Sequence, residues 1–248
     1  MANFMNDKKT SLLYRIIRWL VWLFSPKYRL SGTENLPEEP CVIAGNHCHM
    51  YGPVAGEMMN RSEVAAYAYQ DFWSGKPKAV RWFYKLLSHL IVPLSLEVFG
   101  NAHTVAVYHD SRLISTFRES IALLQEGNSM VLFPEHYTPR NNIVYDFQDK
   151  FVDLARFYYK KTGVALKFVP LYVAPALKSL FFGEPVAFDP EAPIAEERAR
   201  ICEALMDRIT QLALAQPEHI VVPYPNVSKK QYPKSRPLKE VADEKTAG

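Results

Sequence analysis

The chain has 248 residues, is 48% hydrophobic and holds 29 Lys and Arg against 26 Asp and Glu, so it can bury one substantial core. Its ten glycines include no G-x-G pair and no G-x-x-x-x-G-K-[ST] loop, which excludes the common dinucleotide and phosphate-loop motifs. Three cysteines without a C-x-x-C spacing argue against a disulfide framework and against a structural zinc site.

The net charge of +3 is unevenly distributed along the chain. Residues 1–30 carry a net +5 and residues 226–248 a net +3, which leaves −5 for the body between them. We therefore expect a basic N-terminal segment over 1–30, one domain over 31–225, and a disordered basic tail over 226–248. Because no aromatic stacking platform accompanies the basic tail, no nucleic-acid partner is expected.

The first predicted element is a helix in the apolar run 12–24, which is interrupted only by Arg15 and Arg18. Such a helix is about 20 Å long and falls short of the ~30 Å hydrocarbon core of a bilayer. Trp19 and Trp22 beside cationic side chains favour a helix that lies in the headgroup region. We therefore expect a peripheral protein at the cytoplasmic side of the cell membrane; a terminal helix packed on the protein's own core is the alternative.

The body alternates predicted strands and helices. Apolar periodicity and turn residues place strands over 41–44, 104–108, 130–133, 166–173 and 185–188, and helices over 76–91, 113–124, 147–161 and 194–214. Interleaved strands and helices predict an α/β fold, a single domain with a largely parallel central sheet flanked by helices.

Two of these strands end in residues that could form a site. The first leads into Asn46 and His47, and the strand over 130–133 leads into Glu135. Since the carboxyl ends of parallel strands open on one edge of a sheet, these residues should lie close together. A histidine at that edge can take a proton from a hydroxyl nucleophile. The sequence lacks a G-x-S-x-G elbow, which argues against a serine hydrolase.

Four motifs, in this order, resemble those of the PlsC-type glycerolipid acyltransferases. Asn-His at 46–47 with Pro53 is similar to the family's N-H-x-x-x-x-D-P, and 105–112 is similar to its strand that ends in an arginine. Phe-Pro-Glu at 133–135 is similar to F-P-E-G-T-R, and Phe-Val-Pro-Leu at 168–171 to its V-P-hydrophobic motif. The resemblance covers roughly residues 40–220 and implies the acyltransferase fold of that family.

The resemblance implies an enzyme of phospholipid biosynthesis that transfers a fatty acyl group to the hydroxyl of a lysophosphatidate-like glycerolipid. The donor would be acyl-CoA or acyl-carrier protein as co-substrate, with no further cofactor. His47 would be the general base. His49 forms an H-x-H pair with His47, but no third-ligand pattern accompanies it, so no metal is expected. The residues that would bind the acceptor are Asn46, Glu135, Arg140, Arg112 and His109.

Several positions depart from the family's pattern. Gly52 stands where the family has the aspartate that orients the imidazole, and Glu57 is the nearest acidic residue downstream. His109 takes the place of the phosphate-binding arginine, with Arg112 three residues further on, while Arg140 lies two positions later than the third motif requires. Two other functions therefore stay open: a non-catalytic lipid-binding relative, and a thioesterase in which water replaces the alcohol.

Overall fold

The computed structural model describes residues 28–48, 113–225 and 227–236, together with single residues or short runs within 11–23 and 78–86. The chain divides into one unit over 3–26 and 52–120 and a second unit over 27–51 and 121–248. The strand predicted over 104–108 lies outside the described residues. Among the helical residues that are described, no stretch is long and apolar enough to cross a membrane.

Eight strands are described, and six of them form one mixed sheet. In chain order they are β1 Arg29–Ser31, β2 Cys41–Gly45, β3 Met130–Leu132, β4 Glu135–Pro139, β5 Tyr145–Phe147, β6 Lys167–Ala174, β7 Ser179–Phe182 and β8 Val186–Ala187. The strand order is β1-β7-β6-β2-β3, with β8 also paired to β6, whereas β4 and β5 form a separate antiparallel hairpin.

The centre of the sheet is parallel. β2 lies between β3 and β6 and runs parallel to both, with Ala44 opposite Leu132 on one side and Pro170 on the other. All five residues of β2 are buried, as is typical of a strand covered on both faces. The prediction of an α/β fold with a largely parallel central sheet is thus confirmed, and β7 and β8 add an antiparallel part to it.

Pro170 lies in the middle of β6, at the break between its two antiparallel partners. β7 pairs with β6 from Leu171 onward, while β8 pairs with Lys167 and Phe168. Proline has no N–H and is tolerated where a sheet ladder is interrupted. Its carbonyl accepts a hydrogen bond from the N–H of Gly183 at 2.9 Å, and a Cβ on that glycine would lie 2.9 Å from the Pro170 ring. Glycine therefore permits this close approach.

Three longer helices are described: α1 Leu113–Gln125, α2 Asp153–Thr162 and α3 Ile194–Leu214. Gly163 ends α2 in the left-handed conformation, with φ 73°, at the stop predicted from the sequence. α3 has the predicted bounds because apolar positions that recur every three or four residues form one buried face. Its buried residues are Glu197, Ile201, Cys202, Leu205, Met206, Ile209 and Ala213.

Residues 227–236 correct the prediction of a disordered tail that begins at 226. The chain turns at Lys229–Gln231 and returns alongside residues 219–221. The N–H of Val221 donates to the Pro233 carbonyl at 2.8 Å, and that of Ser235 donates to the His219 carbonyl at 2.9 Å. The polar composition suggested disorder, but backbone pairing of this segment does not depend on an apolar side-chain pattern.

Candidate functional site

The carboxyl ends of β2 and β3 meet at one edge of the sheet, as predicted, and bring His47 and Glu135 into contact. β2 ends at Gly45 and continues into Asn46 and His47, while β3 ends at Leu132, three residues before Glu135. The backbone N–H of His47 donates a hydrogen bond to Oε2 of Glu135. Both residues are buried, with 3% and 2% of their surface exposed.

The carboxylate of Glu135 joins two elements of the site. Its second oxygen, Oε1, accepts a hydrogen bond from the backbone N–H of Tyr145 on β5 at 2.6 Å. Burial raises the pKa of Glu135 to about 8, and the hydrogen bonds from Tyr145 and His47 oppose that rise. Glu135 thus holds the loop after β2 against the β4–β5 hairpin through main-chain contacts.

Asn46 continues the sheet ladder beyond the end of β2. Its Oδ1 accepts a hydrogen bond from the N–H of Val173 at 2.6 Å, and its Nδ2 donates to the Val173 carbonyl at 3.1 Å. One side chain thus satisfies both backbone groups of a β6 residue. The contacts fix the backbone immediately before His47, and the predicted role of Asn46 in substrate binding stays a prediction.

Two aromatic rings pack against the imidazole of His47. Phe133 lies edge-on to it, with ring centroids 5.8 Å apart, and Tyr224 lies edge-on at 5.0 Å. Tyr224 in turn packs against Tyr137 at 5.2 Å and Tyr145 at 6.0 Å. The base predicted from the sequence is therefore set in an aromatic cluster, where edge-on packing fixes the plane of a ring.

Sequence reasoning missed Tyr224, which follows α3 in the stretch Val-Val-Pro-Tyr-Pro at 221–225. A signal was present, because an aromatic residue between Pro223 and Pro225 lies in a conformationally restricted segment. The contact with His47 joins residues 177 positions apart, however, and no local pattern encodes it.

Arg140, predicted to bind the acceptor, lies between β4 and β5 and forms ion pairs with α3. Its Nη2 is 2.8 Å from Oδ1 of Asp207 and 3.3 Å from Oε1 of Glu203. Nδ2 of Asn141 also donates to Oγ1 of Thr210 on the same helix at 3.0 Å. These contacts hold the hairpin on α3, and the phosphate-binding role of Arg140 stays a prediction.

The other predicted acceptor-binding residues, His109 and Arg112, lie outside the described residues, as do His49 and Gly52.

Cys48 is described, and its Sγ is 3.6 Å from the Val173 carbonyl oxygen. Burial, with a smaller contribution from the Glu135 charge, raises the pKa of the Cys48 thiol to about 12. A thiol that keeps its proton at neutral pH is a poor nucleophile, which argues against a catalytic Cys48.

No three His, Cys, Asp or Glu side chains converge on a possible metal position within the part of the chain that the structure describes.

No protein-family model matches the sequence, and no curated protein matches it either. Among solved structures, the chain is similar to the 1-acyl-sn-glycerophosphate (LPA) acyltransferase PlsC from Thermotoga maritima. The two are 20% identical, the match covers 84% of this chain and 80% of that one, and the TM-score is 0.43. This likeness is a distant structural relationship.

Proposed function

We propose that this protein transfers a fatty acyl group from the thioester of acyl-CoA or acyl-carrier protein to the hydroxyl of a lysophosphatidate-like glycerolipid. The observation that carries the proposal is the contact between His47 and Glu135 at the carboxyl edge of the parallel strands. These residues belong to the two motifs, at 46–47 and 133–135, whose order and composition resemble the glycerolipid acyltransferases.

His47 acts as the general base in the proposed reaction. The imidazole takes the proton of the acceptor hydroxyl as the oxygen attacks the thioester carbonyl, and a C–O bond forms. The tetrahedral intermediate then collapses, the C–S bond breaks, and the leaving thiolate takes the proton from the imidazolium. The products are the acylated glycerolipid and the free thiol of the carrier, and no covalent enzyme intermediate is needed.

The exposed apolar side chains of the N-terminal helix support a membrane surface as the place of reaction. The described residues within 12–23 are helical, and Trp19 is 55% exposed beside the cationic Arg15. An interfacial helix needs such a combination of aromatic, aliphatic and basic side chains. The exposed apolar residues are Leu12, Leu13, Ile16, Trp19 and Leu23.

Arg140 is our candidate for the acceptor phosphate, together with Arg112 and His109. The carboxylates that pair with Arg140 belong to exposed side chains of Glu203 and Asp207, and such surface pairs are weak. A phosphate, which can take two N–H bonds from the guanidinium, can compete with them. Arg140→Gln should therefore raise KM for lysophosphatidate and leave KM for a neutral monoacylglycerol unchanged. An equal change in both values would contradict this role.

The proposed function is tested by mass spectrometry of products from a panel of lysolipids with acyl-CoA and acyl-carrier protein. The His47→Ala variant should lose acyl transfer by about 10²-fold or more, because a positioned general base contributes that much. His136→Ala, which removes an exposed histidine next to Glu135, is the matched control and should retain activity. Equal rates for wild type and His47→Ala would contradict the assigned role.

Two other outcomes would replace the proposal. Free fatty acid as the sole product identifies a thioesterase, and liposome binding without turnover of any lysolipid identifies a lipid-binding relative. The Gly52→Asp variant separates these cases further, since it introduces the carboxylate of the family's first motif. Acyl transfer that rises in this variant would show that His47 works as a base and lacks its usual acidic partner.

A further inference from the structure

The residues that follow α3 form a C-terminal strap, which we define as 219–225 and 227–236. The end of the strap is fastened to the end of α3, because Nη2 of Arg236 donates to the carbonyl of Leu214 at 3.3 Å and of Gln216 at 3.4 Å. A cation is favourable at these carbonyls, where the helix dipole is negative. Lys234 and Glu218 add an ion pair at 2.5 Å. The C-terminal end of the strap is thus anchored by two of its cationic side chains.

The start of the strap is held by a buried hydrogen bond to β6. The hydroxyl of Tyr172 lies 2.6 Å from Nε2 of His219, and Nδ1 of His219 lies 2.7 Å from the Pro217 carbonyl oxygen. Because a carbonyl only accepts, the proton of the neutral imidazole lies on Nδ1, and Nε2 then accepts the hydrogen bond from the tyrosine. Burial raises the pKa of Tyr172, so its hydroxyl keeps the proton that it donates.

Two neighbouring residues of β6 therefore hold both parts of the site that meet at His47. Val173 binds the side chain of Asn46 and fixes the loop that carries His47. Tyr172 binds His219 and fixes the strap that carries Tyr224. β6 thus fixes both the backbone of the loop that carries His47 and the strap whose Tyr224 ring packs against the imidazole.

We propose that Tyr224 is a positioning residue for His47. Its ring lies edge-on to the imidazole, with centroids 5.0 Å apart and an interplanar angle of 79°. This packing limits rotation of the imidazole and keeps its basic nitrogen directed at the acceptor hydroxyl, which raises the rate of proton transfer. The positioning role of Tyr224 rests on the proposed function of His47 as general base. The contact between the two rings does not depend on that function.

The kinetic test compares Tyr224→Leu with Tyr224→Phe. We expect kcat for acyl transfer to fall about ten- to hundredfold in Tyr224→Leu with little change in KM, the size of effect that a misplaced catalytic group produces. Tyr224→Phe keeps the ring and should retain the wild-type kcat. Tyr159→Leu, which truncates a half-buried tyrosine on α2, is the control and should also retain it. A wild-type kcat in Tyr224→Leu, or an equal loss in Tyr224→Phe, overturns the proposal.

A second measurement separates this proposal from the proposed function. Removal of an aromatic ring from the edge of the imidazole changes its ring-current shift, so the His47 ring resonances should move in Tyr224→Leu and stay in Tyr224→Phe. Unchanged His47 resonances in Tyr224→Leu overturn the contact, whatever the activity. If wild type transfers no acyl group while these resonances move as expected, the proposed function fails and the contact of Tyr224 with His47 stands.

Discussion

Glu135 accepts a hydrogen bond from the backbone N–H of His47, so a buried carboxyl group acts on the main chain of the loop that carries the proposed base. The same carboxyl group accepts a hydrogen bond from the N–H of Tyr145 at 2.6 Å. Two elements of the second unit, the loop after β2 and the β4–β5 hairpin, thus depend on one side chain. Substitution of Glu135 should therefore affect stability and site geometry together.

Below about pH 4.5, where Glu135 is protonated in both the native and the unfolded state, Glu135→Gln should destabilise the protein by about 1–3 kcal/mol, the cost of leaving a buried donor unsatisfied. A glutamine side chain has one acceptor oxygen, so its NH2 group must face the N–H of either His47 or Tyr145. Urea unfolding measures the loss, and the backbone amide resonances of these two residues should shift. Glu184→Gln, at an exposed carboxylate, is the control and should unfold like wild type. A Glu135→Gln variant as stable as wild type at this low pH would contradict the role of Glu135 in holding the loop after β2 against the β4–β5 hairpin.

The stability of the protein should depend on the ionisation of Glu135. Its pKa is raised from 4.5 to about 8 by burial, so the native state keeps a proton that the unfolded state releases in this window. The free energy of unfolding should therefore fall as pH rises from about 4.5 to 8, by up to a few kcal/mol, and this contribution should be constant above that range. Urea unfolding at several pH values measures the slope, which Glu135→Gln should reduce. An identical slope in both proteins would contradict the raised pKa.

Local sequence patterns predicted the elements that depend on local periodicity. The apolar positions of α3 repeat at helical spacing, and its bounds, Ile194–Leu214, agree with the prediction. The shared edge of β2 and β3 also followed from the predicted parallel sheet, since parallel strands place their carboxyl ends together. The meeting of His47 and Glu135 could therefore be predicted before either hydrogen bond was known.

Contacts between distant, irregular segments could not be predicted in this way. The residues from His136 to Pro139 lack an alternating apolar pattern, since β4 is exposed after Glu135. The buried side chain of Glu135 adds a hydrogen bond to Tyr145 of β5. The hydrogen bond between Tyr172 and His219 joins residues 47 positions apart. Its partners are polar, and only the tertiary fold decides that they are buried together.

Asn46→Ala should destabilise the protein by about 1–3 kcal/mol, because it leaves the N–H and carbonyl of Val173 without the side chain that satisfies both. Hydrogen exchange at the Val173 amide should accelerate, and urea unfolding gives the free energy. Asn128→Ala, which removes one hydrogen bond from Nδ2 to the Leu123 carbonyl at 3.1 Å, is a matched control with a smaller expected cost. Equal losses in the two variants would show that Asn46 does not serve as a two-point link.

Gly45→Ala should disturb the site through Phe133. A Cβ at this position would lie 3.0 Å from Cε1 of Phe133 and 3.3 Å from the Leu171 carbonyl oxygen, so the ring must shift by a few tenths of an ångström. Because Phe133 also packs edge-on to His47, its displacement should lower acyl-transfer activity, and overpacking of this kind costs about 1–3 kcal/mol of stability. Urea unfolding and product formation measure the two effects.

A double-mutant cycle between Gly45→Ala and Phe133→Leu tests whether the ring carries the effect. If the ring is the obstacle, the alanine should cost less stability once Phe133 has been truncated, and the two substitutions should be coupled by about 0.5 kcal/mol or more. Gly183→Ala is the control for a glycine in close contact, since its Cβ would meet the side chains of Pro170 and Leu212 instead. Its cost should be unchanged by Phe133→Leu. Additive effects of Gly45→Ala and Phe133→Leu would show that the strain is taken up at the Leu171 carbonyl and that the imidazole's aromatic neighbour stays in place.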